Sequence, residues 1–151
     1  STRVRSSAAS DVYKRQIDTC IEGYDIDPEV VKVAKENAVR AGVEKLVRFR
    51  VRDVAALESD REYGFIITNP PYGERLEEKE TLPAIYSAFG RCFAKMPTWS
   101  AYLITSYEDT ERYVGRKADK NRKIYNGMIK TFYYQFQGPK PPRKKESGSD
   151  K

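Results

Sequence analysis

Residues 67–76 read ITNPPYGERL, and the pair Pro70–Pro71 constrains the fold more than any other feature of the chain. Proline lacks a backbone N–H and holds φ near about −65°, so two in a row exclude a helix and cannot donate to a sheet ladder. Yet YGFIIT, residues 63–68, is a continuous apolar run leading straight into them, of the kind found in strands buried in a parallel sheet. A strand must therefore stop at the prolines. It leaves an amide, two rigid rings and an aromatic ring, Asn69 to Tyr72, at its mouth.

The flanking sequence alternates strand and helix signals. TCIEGYDID, residues 19–27, reads as a short buried strand ending in acidic residues. Asp27 and Pro28 form an N-cap and a first helical position, and Val30, Val31, Ala34, Ala38 and Ala41 make one helical stripe closed by Gly42. KLVRFRV, 45–51, alternates as a strand ending near Asp53. Beyond the prolines, Leu82, Ile85, Phe89, Phe93 and Met96 mark an amphipathic helix that stops at Pro97. WSAYLIT, 99–105, is another buried strand, and EDTERYV a short helix before Gly115. Asn126-Gly127 sits between two β-rich runs and predicts a tight hairpin. The pattern is an open α/β sheet, mostly parallel, with a late antiparallel hairpin. Ligands bind such sheets just past the carboxyl ends of the strands, and Asp25, Asp53 and Asn69 all fall at predicted strand ends.

The ends of the chain read differently. DVYKRQ, residues 11–16, resembles one reading frame of the transposon-end adapter of sequencing libraries, so residues 1–16 are expected to be a non-native segment. Residues 17–137 then form the folded domain. The tail 138–151, GPKPPRKKESGSDK, is proline-rich, basic and polar, and is expected to be disordered.

Composition narrows the chemistry. The chain has no histidine, which removes Ser-His and Cys-His triads and histidine-ligated zinc, and no metal site is expected. Cys20 and Cys92 are isolated and are expected to be reduced thiols. No run approaches the length of a membrane span and no secretory leader pattern is visible, so a cytoplasmic protein is expected. The 28 basic against 22 acidic residues favour a polyanionic partner. GRKADKNRK, 115–123, and GPKPPRKK, 138–145, are candidate phosphate contacts, with a solvated face as the equal alternative.

The NPPY stretch suits methylation of an exocyclic base amine, a poor nucleophile because its lone pair is delocalised into the ring. The Asn69 side-chain oxygen and the Pro70 carbonyl could each accept one amine N–H and turn the lone pair toward a methyl donor. Tyr72 offers a face on which an extruded base can stack. Positioning and electrostatics would do this without a histidine base.

NPPY is the amino-methyltransferase signature of S-adenosylmethionine-dependent enzymes. The longer NPPYGERL, with GYDIDPEVV before it and GRKADKNRKIYNGMIKTFYYQF after it, resembles the THUMP-associated guanine-N2 RNA methyltransferases, most closely the bacterial 23S rRNA guanine-N2 (RlmL-type) enzymes. The likeness covers residues 21 to 145. It implies a Rossmann-like class I methyltransferase fold, S-adenosylmethionine as cofactor and 23S rRNA as partner. Asp25 would hold the cofactor ribose, Ile26 pack on its adenine and Asp53 meet the adenine amino group. Asn69, Pro70, Pro71 and Tyr72 would form the catalytic turn, and Glu74, Arg75, Asn126 and Gly127 would contact the substrate. Simpler roles stand beside these: a loop carboxylate for Asp25, a helix cap for Asp53, a surface ion pair for Glu74 and Arg75, a turn for Asn126-Gly127. One departure matters. The nine glycines never form a G-x-G, so the first strand with its glycine-rich loop and the THUMP domain are expected to be missing, and this chain alone to be inactive. The alternatives are an adenine-N6 methyltransferase of DNA or RNA and a non-catalytic RNA-binding module.

Overall fold

The computed structural model describes residues 20–74 and 76–143. The adapter-like residues 1–16, Arg75 and residues 144–151 of the tail lie outside them. The chain divides into two compact units, up to Asp53 and from Val54 onward.

In the first unit, β1 (Ile21–Asp25), α1 (Pro28–Arg40) and β2 (Val47–Val51) make one parallel crossover, with Ile21 paired to Val47 and Asp25 to Val51. The helix starts where the sequence places it. Asp27 is extended (φ −89°, ψ 117°), its carboxylate accepts the Glu29 N–H at 2.9 Å, and Pro28 follows where a missing N–H costs nothing. Gly42 ends it at φ 70°. Of the predicted stripe, Val31 and Ala38 are buried, whereas Val30 is 47% exposed.

The second unit opens with a 3-10 turn, Val54–Ala56. It continues with β3 (Phe65–Thr68), a one-turn α2 (Leu76–Lys79), α3 (Leu82–Ala94), β4 (Ser100–Thr105), α4 (Thr110–Val114), β5 (Lys120–Asn126) and β6 (Ile129–Phe136). Its sheet runs β3-β4-β6-β5. β3 is parallel to β4, and β6 is antiparallel to both β4 and β5. β5 therefore runs with β3 and β4, and β6 alone among the described strands of this sheet runs against them. The expected mostly parallel sheet closed by an antiparallel hairpin is the observed one.

Helix α3 supplies the core. Leu82, Tyr86, Phe89 and Phe93 recur at helical spacing and meet Ala101 and Leu103 of β4 and Phe132, Tyr134 and Phe136 of β6. Phe93 stacks on Phe89 (centroids 5.8 Å) and sets its edge against Phe136 (6.1 Å). At Gly90 the helix meets the end of α4 so closely that a Cβ would lie 2.2 Å from the Val114 carbonyl oxygen.

Two expectations are corrected, and one element is new. The run 63–68 is not buried throughout: Phe65 is 70% and Ile67 81% exposed. Register is the reason, because Ile66 opposite Ala101 and Thr68 opposite Leu103 take the core face, leaving Phe65 and Ile67 on the other face of an edge strand. The hairpin turn is displaced by one residue. Asn126 still pairs with Ile129, so the two-residue loop is Gly127–Met128. Gly127 alone of the pair has positive φ (63°), which is the glycine-first II′ arrangement. Finally, the short α2 directly after NPPYGER has no counterpart in the sequence reading.

Candidate active site

Asn69 to Tyr72 leave the carboxyl end of β3 as predicted. Asn69 is exposed, Pro70 and Tyr72 are half-buried, and Pro71 is exposed. The chain then dives inward at Gly73, which is buried at φ 81°, where a Cβ would come within 3.0 Å of Leu82 and Lys79. Only glycine satisfies both the left-handed backbone and the tight approach.

Two hydrogen bonds hold this turn. The Tyr72 hydroxyl donates to the Glu74 carboxylate at 2.7 Å, which fixes the ring from its far end. That carboxylate raises the Tyr72 pKa above 10.0, so the phenol stays neutral and its face remains available for stacking. From the other side, the buried Tyr86 of α3 donates to the Pro71 carbonyl at 2.9 Å. Among the described residues, Pro71 is the member of the Asn69–Tyr72 turn whose carbonyl a side chain holds. Sequence reasoning missed Tyr86. The available signal was a hydroxyl inside the otherwise apolar stripe Leu82–Phe89–Phe93, since a buried tyrosine needs a partner for its O–H.

The hairpin tip belongs to the same end of this sheet. Phe132 pairs with Thr105, the last residue of β4, and three further pairs continue out to Asn126–Ile129. At ~3.4 Å per residue the tip stands about 10 Å beyond β4. Three strand spacings, about 14 Å, separate β5 from β3. Asn126 and Gly127 thus share the rim from which Asn69 emerges. The tip is apolar and open, with Tyr125 69% exposed and Met128 fully exposed, and Lys130 reaches Glu108 at 4.0 Å. Arg75 lies outside the described residues.

In the first unit, Asp25 ends β1 and Asp53 follows β2 by two residues, so both leave the carboxyl ends of neighbouring parallel strands. The Arg52 N–H donates to the Asp25 carbonyl at 2.9 Å, and one Asp25 carboxylate oxygen accepts the Asp27 N–H at 2.9 Å. The simpler loop role therefore accounts for one oxygen of Asp25. Ile26, 66% exposed, stands beside it. Among the described residues, no group of three or more acidic or cysteine side chains could hold a metal, and no helix is long and apolar enough to cross a membrane. Cys92 is buried and Cys20 half-buried, both as free thiols.

A three-parallel, one-antiparallel sheet carrying NPPY at a strand mouth defines a Rossmann-like methyltransferase domain. The chain matches the family described as RMKL-like, methyltransferase domain, over residues 2–135, and it belongs to that family. It is 45% identical over 123 residues to the Bacillus subtilis (strain 168) protein YpsC, covering 82% of this chain and 32% of that one. To the ribosomal RNA large subunit methyltransferase K/L of Vibrio parahaemolyticus it is 42% identical over 118 residues, covering 76% and 17%. The solved structure of SMU.472 complexed with SAH is 38% identical and superimposes with a TM-score of 0.75, covering 81% of this chain and 32% of that one. The chain thus spans a third or less of these relatives.

The methyl donor of such domains is S-adenosylmethionine, and the residues present fit it. Its ribose offers two hydroxyl donors, and an ionised carboxylate has about four acceptor sites, of which Asp25 commits one to the Asp27 N–H. Asp53 stands at the adjoining strand end.

Proposed function

We propose that the full-length protein carrying this sequence is an S-adenosylmethionine-dependent RNA methyltransferase that acts on the N2 amine of guanine in 23S rRNA in the cytoplasm. The observation that carries the reading is the Asn69–Tyr72 turn, braced from inside by Tyr86 and leaving Asn69 exposed at the carboxyl end of a parallel strand.

The residues then take distinct tasks. Asp25 accepts from the ribose hydroxyls, Ile26 packs on the adenine and Asp53 accepts from its amino group. The cofactor supplies an electrophilic methyl on a sulfonium. Asn69 Oδ1 and the Pro70 carbonyl accept hydrogen bonds from the two N–H groups of the base amine, which aims its lone pair and favours the positive charge that develops on nitrogen. Tyr72, neutral and tethered to Glu74, stacks on the extruded guanine. Arg75 contacts phosphate. The hairpin tip at Asn126-Gly127 overhangs the same rim and faces the RNA. Guanine is favoured by the Gly73–Leu76 extension of NPPY and by likeness to the large-subunit rRNA enzyme. We propose further that the 151-residue chain alone transfers no methyl group, which an assay of the isolated chain tests.

The test is to methylate rRNA with the full-length protein and digest it to nucleosides. N2-methylguanosine is the expected product, and Asn69→Ala should lower kcat by on the order of 10²–10³. N6-methyladenosine instead would move the reading to adenine. No methylated product from the unmodified protein, with RNA binding unchanged by Asn69→Ala, would leave a non-catalytic RNA-binding module.

A further inference from the structure

Tyr86 and Thr105 do more than fill the core. The Tyr86 hydroxyl carries one proton, and the Pro71 carbonyl 2.9 Å away can only accept, so the proton goes there. The Thr105 hydroxyl, 2.6 Å from the Tyr86 oxygen, must then donate to it. The Thr105 oxygen in turn accepts the Tyr107 backbone N–H at 3.1 Å. Proton direction is thereby settled along the whole row: Tyr107 N–H to Thr105, Thr105 to Tyr86, Tyr86 to Pro71. Such a row strengthens each member, because every donor is polarised by the one behind it.

Its location is as informative as its direction. Tyr86 is 1% and Thr105 0% exposed, so neither hydroxyl can exchange its partner for bulk water. Burial pushes the Tyr86 pKa up to about 12, against a smaller downward pull from Thr105 and Thr110, so the phenol keeps its proton. A turn that drifted outward would leave the buried Tyr86–Thr105 pair one acceptor short for its two protons, which is costly. The ring itself is independently seated, tilted against Tyr107 at 4.8 Å between centroids. With φ already fixed at both prolines, few torsions remain between Pro71 and Asn69. Pinning the Pro71 carbonyl restricts the neighbouring Pro70 carbonyl too.

We propose that Tyr86 and Thr105 are positioning residues that hold the Pro71 carbonyl and, through the two rigid prolines, set the aim of the Pro70 carbonyl and the Asn69 amide toward the acceptor amine. This rests on the reading of Asn69–Tyr72 as the methyl-acceptor turn.

Tyr86→Phe in the full-length protein removes only the hydroxyl. Its kcat should fall about 10- to 100-fold, while KM for rRNA and the Kd for S-adenosylmethionine stay within about twofold. Thr105→Val should give a smaller loss of the same kind, and Thr105→Ser, which keeps the hydroxyl, should restore it. Hydrogen exchange supplies a readout that needs no activity. In Tyr86→Phe the amides of Tyr72, Gly73 and Glu74 should exchange at least about tenfold faster, with β4 and β6 unchanged. If kcat per folded molecule is unaltered, or falls only with the folded fraction, the positioning role is overturned. If the unmodified protein methylates no RNA, the proposed function fails on its own, and the exchange rates alone decide whether Tyr86 holds the turn.

Discussion

The two units of this chain carry their candidate site residues on very different foundations. Around Asn69–Tyr72, α3, α4, β4 and β6 contribute ten buried residues to one cluster, and the turn is tied into it by Tyr86. Around Asp25 and Asp53, by contrast, Val31 and Ala38 are the buried apolar residues among those described, on a two-stranded sheet and one helix. The difference teaches where precision originates. In the proposed reaction, steering an amine lone pair demands angular control of two acceptors, which a dense core provides. The proposed carboxylate receiving hydroxyl donors tolerates more play, and a strand end with an Asx-type turn suffices for it.

The contrast can be broken at its strongest point first. Phe93→Ala removes a ring packed on Phe89 and Phe136 and should cost about 3–5 kcal/mol by denaturant unfolding. A cost under about 1 kcal/mol would mean that the second unit does not depend on this cluster. Native-state hydrogen exchange sharpens the comparison directly. Amides of β4 and β6 should be protected on the order of a hundredfold more than those of β1 and β2. Equal protection would show one cooperative unit. A smaller effect is expected at the end of α4. Gly115 adopts φ 80° with open space around it, so Gly115→Ala should cost about 1 kcal/mol through backbone strain alone. The smallest lies in the first unit. The Tyr24 hydroxyl donates to Glu22, and this bond first, with Arg50 and Arg48 assisting, holds the Glu22 carboxyl below its ordinary value of 4.5. A depressed folded-state pKa means that the contribution is present above the unfolded value and lost as pH falls through the folded one. Protection of β1 should therefore weaken slightly as pH drops below about 4.5, and Glu22→Gln should remove that dependence. Because the pair is exposed, the change should be the least of the four.

Much of this arrangement is legible in particular residues. Asp27 followed by Pro28 announces the start of α1, the Leu82–Phe93 stripe announces α3, and two prolines after FIIT announce the end of β3. Each works because a local rule and the tertiary outcome coincide. Phe65 and Ile67 show where that fails. An apolar run predicts burial, but exposure depends on which strand is its neighbour and which face meets α3. Asn126-Gly127 fails more narrowly: the dipeptide favours a hairpin, yet the β5–β6 register, with Asn126 opposite Ile129, places the loop at Gly127–Met128. The short α2 has no comparable cue.

By itself, the sequence determined the order of the strands and of every helix but α2, the Asp27 cap, and the residues at the strand mouths, because proline geometry, side-chain capping and helical periodicity act over a few residues. Only the tertiary structure decided what braces the NPPY turn. Tyr86 meets Pro71 across fifteen residues and Thr105 across nineteen, and such contacts exist only after α3 has packed on β4. Hydrogen-bond direction is likewise a property of that packed network: one proton on Tyr86 and one acceptor on Pro71 orient every group behind them.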